Sequence, residues 1–165
     1  MEGLFRISGS QVVLNRLYPT FAHPEQVNLD NENCHDVAST FKHWLKHLNP
    51  PLIPFEYFEG TMQMLKDYEE TKEVSLLKDF VLKLPKDHFV AFHKILRLLK
   101  VLSENSTLNK MTSTNLALIF GPSLLQIPPE KKLECDNKEF FSMEVQTQSS
   151  LLVVGLLDSF DTLFS

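Results

Sequence analysis

Arg6 is the only cation in the opening run Glu2-Gly3-Leu4-Phe5-Arg6-Ile7-Ser8-Gly9, with a glycine on either side and apolar neighbours at Leu4, Phe5 and Ile7. That setting suits a guanidinium offered to a partner, since a solvated helix arginine ordinarily stands among other charges and needs no flanking glycine. Gly3 and Gly9 predict backbone angles that other residues resist. The three apolar residues predict an anchor beneath the loop. From local context alone, however, a solvated surface arginine remains the default reading. Lys42 and Lys46 stand one helical turn apart, and Asn115 heads an apolar run; both lysines also read as ordinary residues of a polar helix face, and Asn115 as a side chain serving the first turn of its own helix.

Chemistry carried by the chain alone finds little support. There is no GxxxxGK(S/T) to cradle nucleotide phosphates and no GxGxxG after a strand. No GxSxG elbow occurs, and neither Cys34 nor Cys135 lies in a nucleophile motif. His43 and His47 are four residues apart, but Trp44 stands where HExxH needs glutamate, and no third ligand is indicated. They read as solvent-facing histidines, with no metal. No carboxylate sits inside an apolar segment where burial would raise its pKa for acid or base work. A metal-dependent hydrolase, or any self-contained enzyme, is therefore disfavoured, and no cofactor of its own is implied.

Bulk properties narrow the class further. The 165 residues are 43% hydrophobic with no Pro/Gly/Ser-rich linker, which predicts one domain over 1–165 with a substantial core. A formal net charge of -5 argues against a nucleic-acid partner. Two distant cysteines outside any CxxC spacing read as reduced, partly buried thiols of a cytoplasmic protein. The apolar runs at 116–120 and 151–157 are too short to span a bilayer, and no secretory signal opens the chain.

The elements that must position these side chains are helices almost throughout, so the expected class is all-α. Ser8-x-x-Gln11 has capping-box form, and Val13, Leu14, Leu17 and Phe21 continue a helix until His23-Pro24. A second helix starts near Asp36, with Val37, Phe41, Trp44, Leu45 and Leu48 on one stripe and Lys42 and Lys46 off it, ending at Asn49-Pro50-Pro51. Helical patterns follow over about 55–68 and 74–84, with the acidic stretch 67–73 as a solvated turn or helix start, and then from Phe89 to about Ser103. Thr112 caps a helix whose run 116–120 is apolar on every side, which predicts a central buried element ended by Gly121-Pro122. Residues 128–137 read as an exposed loop, and Gln148, Leu152, Leu156, Phe160 and Leu163 as a closing helix.

Three blocks in fixed order carry a resemblance. They are Glu2-Gly3-Leu4-Phe5-Arg6-Ile7-Ser8-Gly9; then Phe41-Lys42-His43-Trp44-Leu45-Lys46-His47-Leu48 leading to Pro51-Leu52-Ile53-Pro54; then the long run from Asn109 to Leu125 that contains Asn115 and Gly121-Pro122. Together they resemble the Rho GTPase-activating protein (RhoGAP) domain. Leu82-Lys83-Leu84-Pro85 and the last helix ending Leu163-Phe164 look like the family's too, so the likeness covers nearly the whole chain.

The resemblance implies a helical bundle that binds a Rho-family small GTPase in its GTP form and accelerates hydrolysis in trans, with Arg6 as the arginine finger. Mg and GTP would come with the partner. Gly3 and Gly9 would support the finger loop, Lys42 would brace it and touch the GTPase, and Asn115 would hydrogen-bond the GTPase. Lys46 would join Lys42 in a basic patch toward the GTPase, and stands where the family usually has arginine, which loses the bidentate fork. The family's Leu-Pro-Glu-Pro-Leu is Leu48-Asn49-Pro50-Pro51-Leu52 here. The family also has helices before the arginine motif, whereas this chain starts at its second residue. The bundle is therefore expected to be short at its N-terminal side, with Arg6 in a terminal segment of the kind that frays. That leaves open self-association through this side, and a module that binds the GTPase without activating it. Recruitment to membrane would come through the GTPase.

Overall fold

The computed structural model describes residues 1–134 and 136–164. The described residues form helices and turns and no strand: α1 (Gln11–Leu17), α2 (Cys34–Lys46), α3 (Phe58–Thr71), α4 (Val74–Lys83), α5 (Lys86–Glu104), α6 (Ser106–Asn109), α7 (Ser113–Leu124), α8 (Pro129–Glu134), α9 (Lys138–Asp158) and α10 (Phe160–Leu163). Short 3-10 turns cover Tyr18–Ala22, Pro24–Gln26 and Phe55–Tyr57. The all-α expectation holds.

The core forms where apolar stripes meet. On α5, Phe92, Ile95, Leu96 and Leu99 repeat at three- and four-residue steps and are all buried. On α2, Asn33 caps the start by accepting from His35 N at 2.8 Å, and the stripe then presents Phe41 and Trp44 toward the core. The most extensive interface joins α7 to α9, and α7 also packs on α2 and α5. Gly121 makes that crossing close: a Cβ there would stand 2.8 Å from Ser149 Oγ and 3.0 Å from the Ser149 backbone carbon.

Several boundaries differ from the sequence reading, each for a physical reason. The Ser8-Gln11 capping box does not form. Helix α1 begins at Gln11, the side chain of Ser10 makes no capping bond, and Asp36 Oδ1 on α2 accepts from Ser10 N instead, at 2.5 Å. Helix α7 does not stop at Gly121-Pro122 but runs to Leu124. Pro122 forgoes only its own N–H bond, and Leu125 N donates to Gly121 O at 2.9 Å to complete the end of the helix. Nor is α7 buried on every side, because Leu118 is 52% exposed.

The loop expected over 128–137 contains α8, and the closing helix starts ten residues before Gln148, at Lys138, where Asn137 Oδ1 accepts from Phe140 N at 3.0 Å. Most of the acidic stretch 67–73 is the last turn of α3, ended by Lys72 in a left-handed conformation (φ 57°). Cys34, expected to be partly buried, is exposed at the first position of α2. Cys135, the other expected thiol, lies outside the described residues.

Candidate functional site

The loop around Arg6 is a tight turn. Arg6 N and Ile7 N both donate to Gly3 O at 2.9 Å. Gly3 has φ +68°, where an added Cβ would also meet Ile7 Cδ1 at 2.9 Å, so glycine is required there. Phe5 adopts φ 71°, a conformation that costs an L-residue about 1–2 kcal/mol. Burial of its ring offsets that cost: the ring lies edge-on to Phe120 at 4.9 Å and against Phe41 at 6.1 Å. The apolar anchor expected beneath the loop is therefore mainly Phe5, with Leu4 half-buried, while Ile7 is 46% exposed. Arg6 itself is exposed, and its guanidinium has no hydrogen bond or ion pair with any described residue.

Gly9 contributes differently from the sequence expectation. It needs no left-handed angle. It is a glycine because the loop runs against the start of α2, where a Cβ would stand 2.6 Å from both Asp36 Cα and Asp36 Oδ1. Its own N–H donates to Ser39 Oγ at 2.8 Å.

These contacts bear on the expectation of a terminal segment that frays. Four hydrogen bonds tie the segment to the body: Gly3 N to Asn109 O at 2.7 Å, Lys42 Nζ to Phe5 O at 2.5 Å, and the bonds from Gly9 N and Ser10 N to α2. Together with the Phe5 ring they leave the side chain of Arg6 projecting from a pinned backbone. Lys42 is half-buried, and desolvation pushes its pKa below the ordinary 10.5.

Lys46 follows one turn later on α2, exposed and without a carboxylate partner among the described residues. A groove of about 430 Å³ runs beside both lysines, lined by Gly9, Ser39, Ile119, Pro122 and Ser123 among others. His43 and His47 are not simply solvent-facing. Their rings lie 4.1 Å apart, Tyr18 sits edge-on to His43 at 4.6 Å, and His47 Nδ1 lies 2.7 Å from His43 O. Burial, then His47, then Lys46 lower the His43 pKa from 6.5. Among the described residues, no group of three or more His, Cys, Asp or Glu is placed to hold a metal ion.

Asn115 stands in the first turn of α7, where Thr112 Oγ1 accepts from its backbone N–H at 3.2 Å. Its side-chain Nδ2 donates to Lys110 O at 3.0 Å, which leaves Oδ1 as the free acceptor. Lys110 takes φ 60° to turn the chain between α6 and α7. The same turn is organised by Asn109, which the sequence reading did not single out. Asn109 is 7% exposed; its Nδ2 donates to Leu102 O and its Oδ1 accepts from Met111 N, both at 2.8 Å, while its own carbonyl receives Gly3 N. It therefore couples the turn that bears Asn115 to the loop that bears Arg6. Asp36 and Ser39 were missed as well, because from sequence they are ordinary polar residues near a helix start. Only tertiary approach reveals them as loop acceptors.

Comparison with known proteins follows the same lines. A family model described as the RhoGAP domain matches residues 1–129. The chain is 38% identical over 125 residues to Rho GTPase-activating protein gacHH of Dictyostelium discoideum, covering 76% of this chain and 8% of that protein. It is 33% identical over 168 residues to SH3 domain-binding protein 1 of Mus musculus, covering 99% of this chain and 24% of that protein. The chain thus spans less than a quarter of the length of these relatives. Its fold matches the crystal structure of human Rho GTPase activating protein 15 with a TM-score of 0.84 at 22% identity, over 100% of this chain and 76% of that one. Among the described residues, no helix is long and apolar enough to cross a membrane.

Proposed function

This chain belongs to the RhoGAP domain family, and from that premise we propose that it binds a Rho-family small GTPase in its GTP form and accelerates hydrolysis by inserting Arg6 into the partner's active site. The observation that carries this reading is an exposed guanidinium without an intramolecular partner on a backbone pinned at four points. A free, aimed cation is what the reaction lacks. In phosphoryl transfer to water, the GTPase's own glutamine orients the attacking water, and charge spreads over the γ-phosphoryl oxygens in the transition state. A guanidinium stays charged and matches those oxygens with a rigid fork of donors. Its value depends on arriving already oriented.

Each neighbouring residue then has a role. Lys42 holds the carbonyl of Phe5, Gly3 and Gly9 permit the turn and its seat on α2, and Asn109 fixes the far end. Lys46 adds exposed positive charge beside the loop on an acidic chain, which favours encounter with an acidic partner surface. Asn115 offers its free Oδ1 to a donor on the GTPase. GTP and Mg²⁺ enter with the partner. Anchoring of the loop favours an activator over a module that binds without activating.

Single-turnover hydrolysis by a panel of GTP-loaded Rho-family GTPases tests the reading. Acceleration of about 10³-fold or more on at least one member is expected. Binding to the GTP form without acceleration would favour the non-activating module instead.

A further inference from the structure

A second groove, which shares no residue with the Arg6 site, lies between α3 and α4 and encloses about 430 Å³. Its apolar floor is Tyr57, Met64, Leu76 and Phe80. Its rim carries Glu56, Asp67 and Asp79 against the single cation Lys83. Asp67 accepts from Gln63 Nε2 at 3.0 Å, but Glu56 and Asp79 have no ion-pair partner among the described residues. Nearby Glu59, by contrast, is already paired with Lys131 at 2.8 Å.

Gly60 also lines this groove, in the interior of α3. The other four of the chain's five glycines are explained by the fold: Gly3 by its positive φ, and Gly9, Gly121 and Gly155 by neighbours that a Cβ would strike. At Gly60 a Cβ would meet nothing within 4 Å, and the backbone is helical. Glycine there costs about 1 kcal/mol of helix stability relative to alanine. The fold gains nothing visible in return. What the missing side chain creates is a notch in the exposed face of α3, one turn after Glu56 and Tyr57 and one turn before Met64.

We propose that the α3–α4 groove docks a basic amphipathic helix of a partner protein. Its apolar side chains lie on Tyr57, Met64 and Leu76, its lysines or arginines face Glu56 and Asp79, and its backbone comes close to α3 at Gly60. The apolar floor supplies the contact area of helix-in-groove recognition, and the rim selects the sign of the partner's charge. Anionic partners such as nucleic acid or acidic lipid are repelled by the same carboxylates. The proposal is independent of the role given to Arg6.

The test uses a fluorescein-labelled synthetic peptide with leucine at helical i, i+3, i+4, i+7 spacing and lysine elsewhere, beside a control with glutamate for lysine. Anisotropy is read on the wild type, Gly60→Leu, and the double variant Glu56→Lys, Asp79→Lys. Gly60→Leu retains its fold because the site is open and leucine favours helix. The lysine peptide should bind the wild type, and both variants should weaken it at least tenfold; the glutamate peptide should not bind. Gly60→Leu should leave stimulation of the GTPase unchanged. Equal binding to wild type and Gly60→Leu would reveal mere charge attraction and overturn the proposal. So would binding of phosphatidylserine vesicles that Gly60→Leu abolishes, or the absence of amide shift changes at Tyr57, Gly60 and Leu76 on titration.

Discussion

The ammonium of Lys42 on α2 donates to the carbonyl of Phe5, the residue immediately before Arg6, at 2.5 Å. The bond spans 37 positions of sequence and fixes the peptide unit that aims the guanidinium. Phe5 is held from both sides, by this bond outside and by its ring against Phe120 inside. Lys42 is thus a brace for the loop as well as a charge on its surface, and the two roles separate by experiment.

Lys42→Ala removes a charge-assisted bond while leaving the Phe5 ring in place. The expected result is a fall of about 10- to 100-fold in the stimulated hydrolysis rate, equivalent to about 1.4–2.7 kcal/mol of barrier. Faster amide exchange at Arg6 and Ile7, whose N–H groups bond within the turn, should accompany it. A rate loss without faster exchange would assign Lys42 to partner contact alone.

Gly9→Ala forces a methyl to within 2.6 Å of Asp36, so the loop or the start of α2 must shift. Overpacking of this kind typically costs about 1–3 kcal/mol. Gly60→Ala, where nothing lies within 4 Å, should instead stabilise by up to about 1 kcal/mol. Urea unfolding of both variants beside the wild type gives the comparison, and the opposite signs are the prediction.

Asn109 and Asn115 are six residues apart and should behave differently. Asn109→Ala strands Met111 N and leaves Leu102 O with only its bond from Asn105 N, and should cost about 1–3 kcal/mol of stability and loosen Gly3. Asn115→Ala loses one bond to Lys110 O near the surface, so its melting temperature should barely move. Its affinity for the GTPase should drop several-fold. Thermal melts and binding titrations on the two variants separate a scaffold asparagine from a contacting one.

His43 gives a pH dependence. Its folded pKa lies below the ordinary 6.5, chiefly through burial and then through His47 and Lys46, so the unfolded chain takes up this proton first. Stability therefore falls as pH drops from 6.5 toward the folded value, and the loss levels off below it. His43→Gln should show a flatter melting profile between about pH 7.5 and 5.5 than the wild type. Parallel profiles would contradict the assignment.

Much of this was legible in the sequence, and the misses share a cause. Helical periodicity located α2, α4 and α5 closely, because their apolar stripes are regular and prolines mark the ends near 50 and 85, although α2 starts at Cys34, two residues before Asp36, behind the Asn33 cap. The presentation of Arg6 was legible from Gly3, Phe5 and their neighbours. Gly9 was read as a special angle because a close approach by Asp36, 27 positions away, has no local signature. The same holds for Asn109, whose side chain looks like any helix-end asparagine until its partners fold around it. Pro122 was read as a stop because local rules count its lost hydrogen bond but not the α7–α9 contact at Gly121 that rewards continuing the helix. The loop expected over 128–137 hid the short helix Pro129–Glu134, because a short, charged segment carries no periodic signal.

The central claim is that Arg6 acts on the transition state. Single-turnover GTP hydrolysis by the most responsive Rho-family GTPase, measured with saturating wild-type chain and with saturating Arg6→Ala, tests it most directly. The account predicts that Arg6→Ala lowers the stimulated rate by about 10³-fold or more while changing the dissociation constant by less than about tenfold. A variant that stimulates within a few-fold of wild type, or one whose loss is entirely in binding, would contradict it.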